Sequence, residues 1–191
     1  MREDLRIAVL YGSSREGRFC DTVIDWLRAQ LAPVADFQID WIDPLALGLS
    51  DPFASAKEAR LQHYLGRLDA ADGFIIVTPE YNHGYPATIK HLIDLATNEW
   101  IAKPVGFVSY GGFSGGSRAV EQLRPVLAEL SAVGIRETVS LRSQWDNLDE
   151  NGALSAGPDV EQAVLRLVQQ LRRWSVGLRS LRQSETATAA A

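Results

Sequence analysis

The sequence predicts an α/β fold: a three-layer sandwich built on a five-stranded parallel sheet in the order 2-1-3-4-5. Three observations carry this. Five apolar runs rich in β-branched residues alternate with stretches of helical periodicity, the pattern of repeated strand–helix–strand units. Right-handed crossovers leave few arrangements for five such strands. The first and third runs are the most apolar, as strands buried on both faces must be, so they belong at the centre.

In chain order, "RIAVLY" is the first strand, and "CDTVIDWLRAQL" is a helix with Val23, Ile24, Leu27 and Leu31 on one face, closed by Pro33. "DFQIDWI" alternates Phe37, Ile39 and Trp41 and reads as an edge strand. "DPLALGLSDPF" is a proline-rich connection with no clear period. "KEARLQHYLGRLDAA" puts Leu61, Tyr64, Leu65 and Leu68 on one helical face. "GFIIVT" is the most strand-like run and breaks at Pro79. "PATIKHLIDLA" is a helix opened by proline. "PVGFVSYGG" is the fourth strand, and "SRAVEQLRPVLAELSAVG" is a helix expected to kink at Pro125. "IRETVSL" is the fifth strand, and "DVEQAVLRLVQQLRRWSVGLRSL" the last helix. The folded domain is expected over 1–183, with 184–191, "SETATAAA", a disordered tail.

Composition narrows the function. With 19 basic and 24 acidic residues the net charge is −5, which argues against a nucleic-acid binder, a role that needs a basic surface. One cysteine excludes an intrachain disulfide and a cysteine zinc cluster, so no metal is expected. No apolar run approaches the roughly 18 residues that span a bilayer, and "MREDLRIAVL" does not read as a signal peptide. The expected setting is cytoplasmic.

In parallel sheets of this order ligands sit beyond the carboxyl ends of the strands, beside the switch point between the first and third. Three loops lie there. The first, "GSSREGRFCDT", enters a helix whose N-terminus attracts anions. Gly12 permits the turn, Ser13 and Ser14 offer hydroxyls, and Arg15 can fork onto a phosphate. Read alone, the same residues also make an ordinary solvated turn. The dinucleotide and NTPase glycine signatures are absent. The second, "TPEYNHGYP", packs Glu80, Tyr81, Asn82 and His83 between prolines, a composition that suits a flat heteroaromatic ring. No acid–base triad is visible, and His83 reads more simply as a hydrogen-bonded loop residue. The third, "SYGGFSGGS", has four glycines that allow close backbone approach to a ligand, or simply a flexible lead into the next helix.

Together these segments resemble the NADPH-dependent FMN reductase family of flavodoxin-like proteins, which includes quinone, azo and chromate reductases. "GSSREG", "TPEYNHGYPATIKHLID" and "SYGGFSGGSRAVEQLRPVL" carry the resemblance, which runs from Leu5 to about Gly134. It implies that the first loop, Gly12, Ser13, Ser14 and Arg15 with Arg18, Phe19 and Cys20, holds the FMN phosphate. It implies that Pro79, Glu80, Tyr81, Asn82 and His83 border the isoalloxazine, with Ser109, Tyr110, Gly111 and Gly112 on its other side. Many relatives carry a serine and an asparagine where this chain has Arg18 and Cys20.

The resemblance further implies an FMN-dependent oxidoreductase that takes hydride from NADPH or NADH and passes electrons to a small-molecule acceptor such as a quinone, an azo compound or free flavin. No side chain is then required as a catalytic acid or base, because the flavin carries the chemistry. Arg18 and Arg118 are the candidate cations for a 2′-phosphate. A homodimer or homotetramer is implied. Trp100 and Trp145 fall in predicted loops, where they either stand exposed, which would suit an interface or an open site, or fold back onto the chain's own core. The competing readings are a flavodoxin-like electron carrier without nicotinamide turnover, and a non-enzymatic partner-binding module.

Overall fold

The computed structural model describes residues 4–49 and 58–189. Strands β1 (Arg6–Tyr11), β2 (Gln38–Ile42), β3 (Gly73–Pro79), β4 (Pro104–Gly111) and β5 (Val133–Arg142) form one parallel sheet in the order β2-β1-β3-β4-β5. The predicted order holds, and its physical basis is plain. β3 and β4 are buried along their whole length, whereas β2 is partly open, as an edge strand is.

Helices α1 (Cys20–Leu31) and α6 (Pro158–Ala189) cover one face, where Val23, Leu27, Leu167 and Leu171 pack on Ile7, Val9, Ile75 and Val77. The helices α3 (Glu58–Asp69), α4 (Ala87–Asp94) and α5 (Ser117–Glu129) cover the other, where Tyr64, Leu68, Leu92 and Leu123 meet Ala8, Leu10, Phe74 and Ile76. Each helix buries the stripe that its periodicity marks. α5 runs through Pro125 and stops at Glu129, short of Gly134. Ser131 takes a positive φ of 57° there, and Val133 and Gly134 already pair with Pro104 and Val105 in the sheet.

Three further points are informative. The stretch after β2 holds a one-turn helix, α2 (Pro44–Leu47), where no period was visible. Its signals are local: Asp43 caps it by accepting from the Leu45 N–H at 2.9 Å, Pro44 opens it, and Gly48 closes it at φ 64°. The rest of that connection, residues 50–57, lies outside the described residues. The last helix continues to Ala189, so residues 184–189 are helical backbone rather than the expected disordered tail. Alanine is the best helix former, and neither glycine nor proline interrupts the run. Of the two readings open for Trp100, the structure takes burial: the residue folds back into the core and is fully buried. Its ring lies 4.5 Å from that of Phe74, and its Nε1 donates to the Ile93 carbonyl at 3.2 Å. That bond satisfies its only polar atom, so the ring can serve the core.

The register brings the ends of the central strands together: Tyr11 pairs with Val77, Pro79 with Tyr110, and Gly111 with Arg142. The loops after β1, β3, β4 and β5 therefore leave the sheet at one rim.

Candidate active-site cleft

At that rim lies a cleft of about 370 Å³, lined by residues 15–19 of the first loop, Pro79–Tyr81 of the second, Tyr110–Gly112 of the third, and Trp145. Three of its walls are the segments the sequence singled out. Trp145 completes the lining; the sequence leaves it open between an interface or open site and its own core.

The first loop begins at Gly12, whose N–H donates to the Val77 carbonyl at 2.7 Å. A Cβ there would stand 2.5 Å from that carbonyl oxygen and 2.9 Å from the Thr78 Cα, so only glycine lets the chain turn against β3. Ser13 is buried, and its hydroxyl shares a hydrogen bond of 3.2 Å with the Tyr81 hydroxyl, tying the first loop to the second. The Ser14 hydroxyl shares a hydrogen bond of 2.8 Å with that of Thr88 and so ties the loop to the first turn of α4. Arg15 is exposed and has no ion pair among the described residues; its guanidinium lies 5.4 Å from the centre of the Tyr81 ring.

Arg18 is different. Its side chain is 5% exposed. It grips Asp43 with two bonds of 2.8 and 2.7 Å, donates to Asp21 at 2.9 Å and to the Ser13 carbonyl at 2.7 Å. Burial raises the Asp43 carboxyl, but the bonds from Arg18 and the Leu45 N–H outweigh it and hold the group below its ordinary value. Arg18 thus joins the first loop to the cap of α2, and its charge is spent inside the protein.

Cys20 is buried at the start of α1. Burial is the main cause that pushes its thiol up from 9.0 to about 11, against a hydrogen bond with Tyr110 that lowers it. A reactive cysteine needs the opposite surroundings. The unfolded chain therefore gives up this proton first. The thiol's contribution to stability is whole below pH 9 and is lost as the pH rises through about 11. Denaturation between pH 8 and 10 is expected to show a downward trend that Cys20→Ala reduces, and a maleimide at pH 8 is expected to leave the folded thiol unmodified.

In the second loop Asn82 and His83 both have positive φ, 50° and 67°, and Tyr81 and Gly84 exchange backbone hydrogen bonds of 2.9 and 3.0 Å across them. This is the two-residue turn of a tight hairpin, in which asparagine is favoured. It leaves Asn82 and His83 exposed at the tip and outside the lining of the cleft. Glu80 turns to the third loop: its carboxylate accepts from the Ser114 hydroxyl at 2.7 Å, the Arg118 N–H at 3.1 Å and the Arg118 guanidinium at 2.8 Å. Burial raises this carboxyl, and the three bonds more than reverse that and lower it. Arg18 and Arg118 are both paired with carboxylates, so neither stands as a free cation for a 2′-phosphate.

The third loop follows Tyr110, which lies on the floor beside Phe19 at 5.9 Å between ring centres. Gly116 has a φ of 84° and a Cβ there would meet Ser109 and Tyr110 under 3 Å. Ser109 donates to the Gly115 carbonyl at 2.8 Å and is buried. The glycine run is thus a folded corner against β4. Among the described residues no group of histidines, cysteines and carboxylates is arranged to hold a metal, and no helix is long and apolar enough to cross a membrane.

The strand order defines a flavodoxin-like fold with a cleft at the carboxyl rim of its sheet. A family model described as NADPH-dependent FMN reductase matches residues 5–146. An NAD(P)H-dependent FMN reductase from Schizosaccharomyces pombe is 35% identical over 130 residues, 63% of this chain and 64% of that one. A quinone reductase from Escherichia coli K12 is 33% identical over 142 residues, 70% of this chain and 74% of that protein. Among solved structures, the flavoenzyme NAD(P)H:(acceptor) oxidoreductase FerB from Paracoccus denitrificans superposes with a TM-score of 0.71 at 20% identity, over 88% of this chain and 98% of that one. The chain belongs to the NADPH-dependent FMN reductase family, whose members are oxidoreductases working with FMN and NAD(P)H.

Proposed function

We propose that this chain binds FMN in the cleft beyond β1, β3 and β4 and uses it to move electrons from NAD(P)H to a small planar acceptor, a quinone foremost. The observation that carries the reading is the donor set of the cleft. At one end stand Arg15, which is exposed and has no ion pair among the described residues, and the N-terminus of α1. At the other, the backbone of Pro79–Tyr81 runs beside that of Tyr110–Gly112, where β3 and β4 end as paired strands. A phosphate suits the first end, and an isoalloxazine suits the second.

FMN supplies the two-electron chemistry when bound. The chain's own residues bind and orient. Arg15 holds the phosphate. Ser13 and Ser14 fix the first loop to Tyr81 and Thr88 rather than to the ligand. Glu80 sets the distance between the second and third loops. Holding donor and acceptor in contact is the main catalytic contribution expected of such a site. Quinone reductase and 2-hydroxy-1,4-benzoquinone reductase relatives support a quinone as acceptor.

A homodimer fits the exposed Phe113, which stands 89% exposed in the third loop beside the cleft, since an aromatic left in water next to a site suits cover by a second subunit. A cytoplasmic setting fits the free thiol of Cys20 and the use of a nicotinamide co-substrate.

Arg15→Ala is expected to weaken FMN by about 1.5–3 kcal/mol, the worth of a hydrogen bond to a charged group. Riboflavin, which lacks the phosphate, is expected to bind both forms alike. Isothermal titration with the two ligands checks this, and equal losses would remove Arg15 from the phosphate site. Anaerobic reduction tests the enzyme itself. A bound flavin that bleaches with dithionite but with neither NADPH nor NADH would return the protein to the electron-carrier reading.

A further inference from the structure

The sequence leaves the role of the loop from Arg142 to Pro158 open, yet its Trp145 supplies a wall of the cleft. Strand β5 ends at Arg142, and Ser143 takes a positive φ of 46°. A serine in that region is strained, and such strain persists only where its surroundings enforce it. Here the Ser143 N–H donates to the Gly111 carbonyl at 2.8 Å, and the Ser143 carbonyl accepts from the Asp146 N–H at 3.0 Å. The turn is therefore pinned to the third loop. It starts the short 3₁₀ helix Gln144–Asn147 and delivers Trp145 to the rim. A second tie holds that helix: the Ser155 N–H donates to the Asn147 carbonyl at 3.0 Å.

Trp145 stands edge-on to Phe19, with ring centres 6.5 Å apart at 78°. A Cβ built on Gly112 would lie 3.9 Å from its ring, so a residue without a side chain faces it across the gap. Aromatic exposure rises from floor to rim. Tyr110 is buried, Phe19 is half-buried, and Trp145 is 48% exposed. Tyr110 and Phe19 already pack on each other. The indole offers a large apolar surface on a fixed backbone, which gains contact area at little cost in side-chain freedom when a flat molecule covers it.

We propose that Trp145 is a specificity residue that selects planar, aromatic or quinonoid acceptors by stacking at the rim of the cleft. The proposal rests on the FMN reading above. There a quinone receives two electrons and one proton as hydride from the reduced flavin, which is thereby oxidised, and a second proton from solvent, and leaves as the hydroquinone; Trp145 holds its ring and exchanges neither electrons nor protons.

The test uses FMN-loaded wild type, Trp145→Ala and Trp145→Phe, each reduced anaerobically with one equivalent of dithionite. Each is mixed by stopped flow with 1,4-naphthoquinone or with ferricyanide, an octahedral acceptor that takes electrons only. Flavin reoxidation is read as a second-order rate constant. The ratio of the quinone constant to the ferricyanide constant is expected to fall about fivefold in Trp145→Ala, in keeping with the strength of aromatic pairs, and to recover for the most part in Trp145→Phe. An unchanged ratio in Trp145→Ala, or a phenylalanine variant no better than alanine, overturns the proposal. A wild type that retains no flavin overturns the FMN reading as well, and shows itself in the absorbance before any acceptor is added.

Discussion

Asp43→Ala is expected to destabilise the protein by about 3 kcal/mol, the lower end of the cost of stranding a buried charge. It lies at the lower end because Asp21 still faces the Arg18 guanidinium. Two things are lost with one carboxylate: the bidentate partner of a side chain that is 5% exposed, and the cap of α2. Chemical denaturation separates them. Asp43→Asn keeps an acceptor for the Leu45 N–H and is expected to recover about 1 kcal/mol, the worth of a helix cap. The double variant Arg18→Met, Asp43→Leu removes both charges and is expected to lie closer to the wild type than Asp43→Ala does. A loss under about 1 kcal/mol for Asp43→Ala would mean that Asp21 suffices. FMN affinity is expected to fall in parallel, because Arg18 also holds the Ser13 carbonyl and with it the turn that presents Arg15. The Asp43 carboxyl is held below its ordinary 3.8. The pair's contribution is therefore present above that pH and fades as the pH falls through the folded value.

Gly12→Ala is the second large effect, at about 3 kcal/mol, the upper end of ordinary overpacking. The added methyl would meet Val77 and Thr78 backbone atoms at 2.5 and 2.9 Å. Backbone in the middle of a sheet cannot swing aside as a side-chain end can. The strand end must move, and the first loop moves with it, so FMN affinity is expected to drop together with stability. Gly157→Ala is the control: nothing lies within 4 Å of a Cβ there, and its melting temperature is expected to stay at the wild-type value. Equal melting temperatures for Gly12→Ala and Gly157→Ala would show that the turn at Gly12 has slack.

The strand order and the rim of loops were legible because they depend on patterns spread over many residues. A continuous apolar run such as "GFIIVT" has few places to go other than the centre of a sheet. The cleft was legible for a related reason, since the loop composition after three adjacent strands converges on one point in space. What escaped the sequence depends on single contacts between distant residues. Arg18 reads as a loop cation until Asp43, 25 positions on, is seen to hold it. Trp100 and Trp145 look alike in the sequence, each in a predicted loop. One has a carbonyl for its Nε1 and a phenylalanine to pack on, and the other is carried to the surface by the turn at Ser143. Glu80 was read as a neighbour of the ring, and nothing local shows that its carboxylate is taken by Ser114 and Arg118.

That Glu80 clamp has a consequence for how tightly a ligand is held. It fastens the second and third loops to each other, beside the Glu80 N–H bond to the Tyr110 carbonyl, so the two form one preset wall of the cleft before anything enters. A flat molecule entering it has little loop motion to arrest, and the ordering cost that weakens binding to floppy sites is largely met during folding. A ring that lies flat along that wall needs no rearrangement of it, while a molecule that requires the wall to part must first break three hydrogen bonds to one carboxylate.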